Sequence, residues 1–196
     1  MFLITVDSEH NEFTLSGKIG PGDFALMKSF KTKSGVSYVL TIDESTGGSI
    51  SDALGIYDIL SSVDCIGVVK RRADSAAAIL LQACKLRFAL KDASVFLHAV
   101  GIRKNYYSWE RDLKNALTQL IKDYPKKNEL IQNMDVEYSV SKILEFSESF
   151  YIQDKIEFIL KERMIISSRE LRDIMAKGKD FSTQESLDVG LIDFIL

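Results

Sequence analysis

The sequence predicts an α/β domain, and two observations carry that prediction. Runs rich in β-branched and aromatic residues at 36–42 ("VSYVLTI"), 65–69 ("CIGVV") and 93–98 ("ASVFLH") read as buried strands. Between them lie runs of helical character: Ile50, Ala53, Leu54, Tyr57 and Leu60 at helical spacing, then the Ala- and Leu-rich "SAAAILLQAC" (75–84). Strand, helix, strand, helix, strand is the order of an α/β layer with right-handed crossovers.

The remaining elements follow in order. "MFLITV" (1–6) and "FTLSGKI" (13–19) flank the polar "DSEHNE" and predict a hairpin or a pair of short strands. "GPGDF" (20–24) breaks the chain, and a short helix follows through Lys31. Gly47 and Gly48 mark the hand-over from the first core strand to its helix, either as a tight turn or as backbone that something approaches closely. Residues 109–124 and roughly 136–176 read as helical, with "YPKKN" (124–128) as the break. In the closing "FSTQESLDVGLIDFIL", Ser182 or Thr183 caps a short helix, Glu185 lies near its start and Gly190 ends it. The whole chain, 1–196, reads as a single domain: a core at 13–100, a helical extension over about 105–176 and a closing segment at 178–196.

Composition narrows the function classes. Apolar residues make up 46% of the chain, enough for a sizeable core. With 25 basic and 28 acidic residues the formal net charge is −3, which argues against a nucleic-acid surface. No apolar stretch approaches a membrane span, and "MFLITV" runs into Asp7, Glu9 and Glu12 without the basic flank of a secretory signal. Cys65 and Cys84, both in apolar runs, read as reduced thiols of a cytoplasmic protein. Two histidines and two scattered cysteines make no metal-ligand spacing, and no phosphate-binding GxxxxGK[ST] occurs, so no cofactor is expected.

Three features fall at element ends, where ligands collect in α/β layers. Gly47-Gly48 follows the first core strand, Ser75 opens the Ala-rich helix, and His98 ends the next strand. Together they suit acyl transfer. A serine hydroxyl is a weak nucleophile that needs a base within reach, and an imidazole supplies one near neutral pH. Backbone N–H groups at a helix start favour the oxyanion that forms on attack, which designates Gly48 and Ala76 as donors. The competing reading of Ser75 is a plain helix N-cap.

"ESTGGSISDALGIYDIL", "ADSAAAILLQAC" and "ASVFLH" resemble, in order and spacing, the Clp protease proteolytic subunit and its relatives in the Clp/crotonase superfamily. The intervals from Gly48 to Ser75 and from Ser75 to His98, 27 and 23 residues, are close to the family's, and "FSTQESLDVGLIDFIL" resembles its closing signature. The resemblance covers about 40–100 and 178–196. It implies a Clp/crotonase-type spiral of strand-strand-helix units with a helical C-terminal half. It also implies Ser75 as nucleophile, His98 as base, and Gly48 with Ala76 as the oxyanion hole. The implied activity is a serine endopeptidase working through an acyl-enzyme on peptides or unfolded proteins, within a homo-oligomeric ring that an ATP-dependent unfoldase could feed.

The departures are specific. An ungapped match puts Gly178 where the family carries the third triad member, an aspartate; Asp180, two positions on, is the substitute, and Asp173 is a further candidate. A Ser–His dyad is the other arrangement this leaves open. In "VVKRRADSAA", Lys70, Arg71 and Arg72 stand where relatives carry small or neutral residues, and Arg71 and Arg72 become candidates to receive an acidic substrate group. They otherwise read as a solvated loop. Two alternative functions follow: a catalytically weak or inactive paralogue acting as a scaffold or mixed-ring subunit, and a crotonase-type acyl-CoA enzyme, for which Glu44 is the nearby acid/base candidate.

Overall fold

The computed structural model describes residues 4–30, 32–33, 35–100 and 136–196, with side chains from 149 onward in the last stretch. The helix expected over 109–124 and its break at 124–128 lie outside the described residues. The chain divides into two units, 1–98 with 156–196, and 99–155.

The first unit is built on an eight-stranded sheet. β1 (Ile4–Asp7) and β2 (Glu12–Ile19) form the expected antiparallel hairpin, turning through Asn11 at φ 56. After α1 (Asp23–Ser29) come β3 (Ser37–Gly48), α2 (Ile50–Ser61), β4 (Asp64–Asp74) and α3 (Ala76–Leu81). β5 (Leu86–Ala89) and β6 (Ser94–Leu97) complete the core. β2, β3, β4 and β5 pair in parallel in that order. β4 is long enough to change partners, pairing with β5 through Ile66–Val69 and with β6 through Arg72–Asp74.

Two elements extend further than their local sequence suggests. β3 runs through both glycines, so the strand gives way to α2 only at Ser49, whose hydroxyl caps the helix. β4 runs through Lys70, Arg71 and Arg72, which are strand residues and not a solvated loop. The Ala-rich helix is shorter than 75–84: after Leu81 the chain tightens into i→i−3 bonds from Gln82, Ala83 and Cys84, and Lys85 N–H then joins Cys65 O to launch β5. All six α3 residues are buried, which explains their composition.

α4 (Val136–Lys161) and α5 (Ser168–Lys177) supply the helical part of the C-terminal half. Ile156, Ile159 and Leu160 are buried at the end of α4, and Leu171 and Met175 are buried along α5. β7 (Lys179–Ser182) pairs antiparallel with β6, and α6 (Thr183–Asp188) and β8 (Phe194–Ile195) follow. Ser182 caps α6 in a capping box with Glu185, and Gly190 turns the chain away at φ 79. Ser182→Ala should cost about 1 kcal/mol in chemical denaturation; an unchanged midpoint would show that the cap is dispensable.

The closing segment is clasped to the core by one buried arginine. Arg87 sends Nε and Nη2 to the Asp193 carboxylate at 3.0 and 2.6 Å and Nη1 to Gln82 Oε1 and Gly190 O at 2.6 and 2.9 Å. The backbones close the same clasp, Asp193 N–H donating to Arg87 O at 2.8 Å. Cys65 and Cys84 are buried free thiols whose Sγ atoms lie 3.6 Å apart. No helix among the described residues is long and apolar enough to cross a membrane.

Candidate active site

The site begins where β4 becomes α3 within a single residue. Ser75 still belongs to the sheet on its N-terminal side, its N–H donating to Phe96 O of β6 at 2.7 Å. On its other side its carbonyl already accepts from Ala78 and Ile79 N–H of α3. Meeting both demands forces φ 54 and ψ −119, a backbone conformation costly for a residue with a β-carbon. The hydroxyl makes no helix-capping bond, so the N-cap reading does not account for this serine.

The glycine pair acts on two different neighbours. A β-carbon on Gly47 would fall 2.6 Å from Asp74 O, 2.8 Å from Ala76 N and 2.8 Å from Ser75 Cβ. Only a glycine, at φ 76, lets β3 press this closely on the turn that carries Ser75. The close approach at Gly48 is to β2: its β-carbon would fall 2.1 Å from Ile19 O. Sequence spacing singled out Gly48, whereas the backbone in contact with Ser75 and Ala76 is that of Gly47.

His98 follows β6 directly, half-buried, with its ring tilted against Phe96 at a centroid distance of 5.4 Å. The parallel register Asp74↔Phe96 and the Ser75–Phe96 bond bring the β4 turn and the end of β6 together at one edge of the sheet. On the other side of β6, the register Leu97↔Lys179 continues to Gly178 beside His98. A β-carbon on Gly178 would lie 3.8 Å from His98 Cβ.

Asp180 sits two residues from Gly178, level with Phe96. Both its oxygens receive Arg72 Nη2, at 3.2 and 3.1 Å, while Arg72 Nε reaches both oxygens of Asp74 at 2.7 Å. Asp173 lies exposed on α5. Arg71 is also engaged: it grips the Asp43 carboxylate through Nε and Nη2 and meets Glu44 through Nη1 at 2.8 Å. Both arginines offered as substrate cations therefore already hold carboxylates of this chain.

Asp74 is the residue that spacing did not single out. Burial pushes its carboxyl above the ordinary value of 3.8, and the nearby Asp180 charge adds to this, while Arg72 and His98 pull the other way. Its setting between Ala73 and Ala76, at the end of a strand, is the sequence signal for a buried acid. Among the described residues no group of His, Cys, Asp and Glu could hold a metal ion.

Comparison with known proteins gives one clear result. The sequence profile described as Clp protease matches residues 29–132, which contain β3, both glycines, Ser75 and His98. No curated protein matches the chain. The match spans more than half of the sequence, and the mixed α/β sheet agrees with the fold of that family: this chain belongs to the Clp protease family.

Proposed function

We propose that the protein is a serine endopeptidase of the Clp type that cuts peptide bonds through an acyl-enzyme. Ser75 Oγ attacks the scissile carbonyl while His98 takes the hydroxyl proton. The C–N bond then breaks as His98 returns that proton to the leaving amine, and water repeats the sequence to free the acyl group. Gly48 and Ala76 N–H hold the oxyanion, with Gly47 keeping β3 against the start of α3. The observation that carries this reading is the strained Ser75 turn with its uncapping hydroxyl, set beside the strand that ends at His98. Membership of the family supports assembly into rings, with unfolded protein as substrate and an unfoldase as partner.

The test is intact mass after incubation with a fluorophosphonate. Wild type should gain one adduct, Ser75→Ala none, and His98→Ala should react roughly 10³-fold more slowly or worse. A second reading has one observation in its favour: Gly178 stands where the family's acid belongs, beside His98. A folded, assembled wild type that gains no adduct would assign the chain to that reading, a non-catalytic ring subunit.

A further inference from the structure

We propose that Asp74, on the strand that carries the nucleophile, is the positioning acid for His98; this rests on the Ser75–His98 reading above. The argument is one of rows across three strands. β4, β6 and β7 lie side by side, and the registers Asp74↔Phe96 and Phe96↔Asp180 set these three residues level. Directly opposed residues share a face of the sheet. Arg72 reaches across that row and holds the acids at both its ends. The following row pairs Leu97 with Lys179, and beyond it Gly178 lies beside His98, so no acidic side chain enters from that position. The carboxylates stand two residues back along the strands, and Arg72 holds them there.

The two acids differ in setting. The Asp74 side chain is 12% exposed and that of Asp180 is 55% exposed. A charge at Asp74 therefore acts through protein, whereas the charge at Asp180 is screened by water and salt. One guanidinium between two carboxylates leaves the cluster with a net negative charge when both are ionised. As His98 takes the serine proton, the positive charge it gains develops beside that cluster, which favours the transition state. The charged and titratable groups that act on Asp74 are Arg72 on its own strand, Asp180 on β7 and His98 beyond β6. β3 brings Gly47 against its carbonyl and α3 begins with alanines, so neither adds a charge.

Two readouts separate a positioning role from a structural one. The chain has two histidines, so a His10→Gln background leaves His98 as the single imidazole for ¹³C-histidine NMR. In that background Asp74→Asn should move the midpoint of the His98 titration to lower pH. Fluorophosphonate labelling at its pH plateau should fall roughly tenfold or more. Asp74→Glu, which keeps the charge, should recover part of both, and the more exposed Asp180→Asn should give smaller changes of the same sign. A titration in Asp74→Asn that superimposes on its parent overturns the inference, even if labelling is slower. Recovery by Asp74→Glu of neither readout overturns it as well. A wild type that takes up no fluorophosphonate at all brings down the acyl-enzyme reading instead, and the NMR comparison still decides whether Asp74 acts on His98.

Discussion

Gly47→Ala should silence the serine, lowering fluorophosphonate labelling by about 10²–10³ while a folded protein remains. The added carbon would meet Asp74 O at 2.6 Å and Ala76 N at 2.8 Å, and backbone atoms cannot swing aside as a side-chain tip can. Relief has to come from a shift of the Ser75 turn or of β3, and either moves the hydroxyl relative to the helix start. Overpacking of this kind also costs about 1–3 kcal/mol, to which the positive φ adds. Gly48→Ala clashes on the other side, its β-carbon 2.1 Å from Ile19 O of β2, and because Gly48 N–H is the proposed oxyanion donor this displacement should lower labelling as well as stability. Labelling per folded molecule, with thermal unfolding, measures the two effects for each variant. Normal labelling of Gly47→Ala would show that the turn tolerates displacement and that its tight packing is not what arms the serine.

The second large effect is expected at the clasp. Arg87→Met should cost about 3–5 kcal/mol, because it strands the partners of a buried, multiply bonded guanidinium. Gln82 Oε1, Gly190 O and the Asp193 carboxylate would all lose donors. The pH dependence has a definite sign. Partial burial pushes the Asp193 carboxyl up, but hydrogen bonds from the Arg87 side chain and backbone and its charge outweigh this, leaving it below the ordinary value of 3.8. A carboxyl lowered by folding contributes stability that is complete above its ordinary value and is lost as pH falls through the folded one. The stability gap between wild type and Arg87→Met should therefore be widest near neutrality and narrow below about pH 4. Urea unfolding at pH 7 and pH 3 measures it; an equal gap at both would mean that packing, and not the ion pair, holds the closing segment.

What the sequence made legible was local. The three core strands, the hairpin and the α6 capping box each depend on neighbours within a few residues, and each stands where its pattern puts it. β5 escaped notice because Arg87 interrupts an otherwise apolar four-residue strand, and its burial depends on Asp193, 106 residues away. Lys70, Arg71 and Arg72 looked like a loop for the same reason: the acids that hold the two arginines are mostly distant, Asp43 on β3 and Asp180 108 residues on. Ser75 and His98 could be singled out because each stands at the end of a recognisable element. The division of labour between Gly47 and Gly48 could not, since it depends on which strand each backbone touches. Asp74 was not singled out, because its place level with Phe96 and Asp180 comes from strand pairings that no local pattern encodes.

The pairing of β6 with β7 also sets an order of events for the newly made chain. Everything up to His98 can collapse early, through contacts between segments close in sequence. The strand that lies over β6 belongs to 179–182 and arrives only after the long intervening stretch has been made, and pairings this remote form late. Until then Asp180 is missing from Arg72 and the flank of His98 stays open to water. The turn that carries Ser75 is thus translated early, while the strand that flanks it across β6 arrives late.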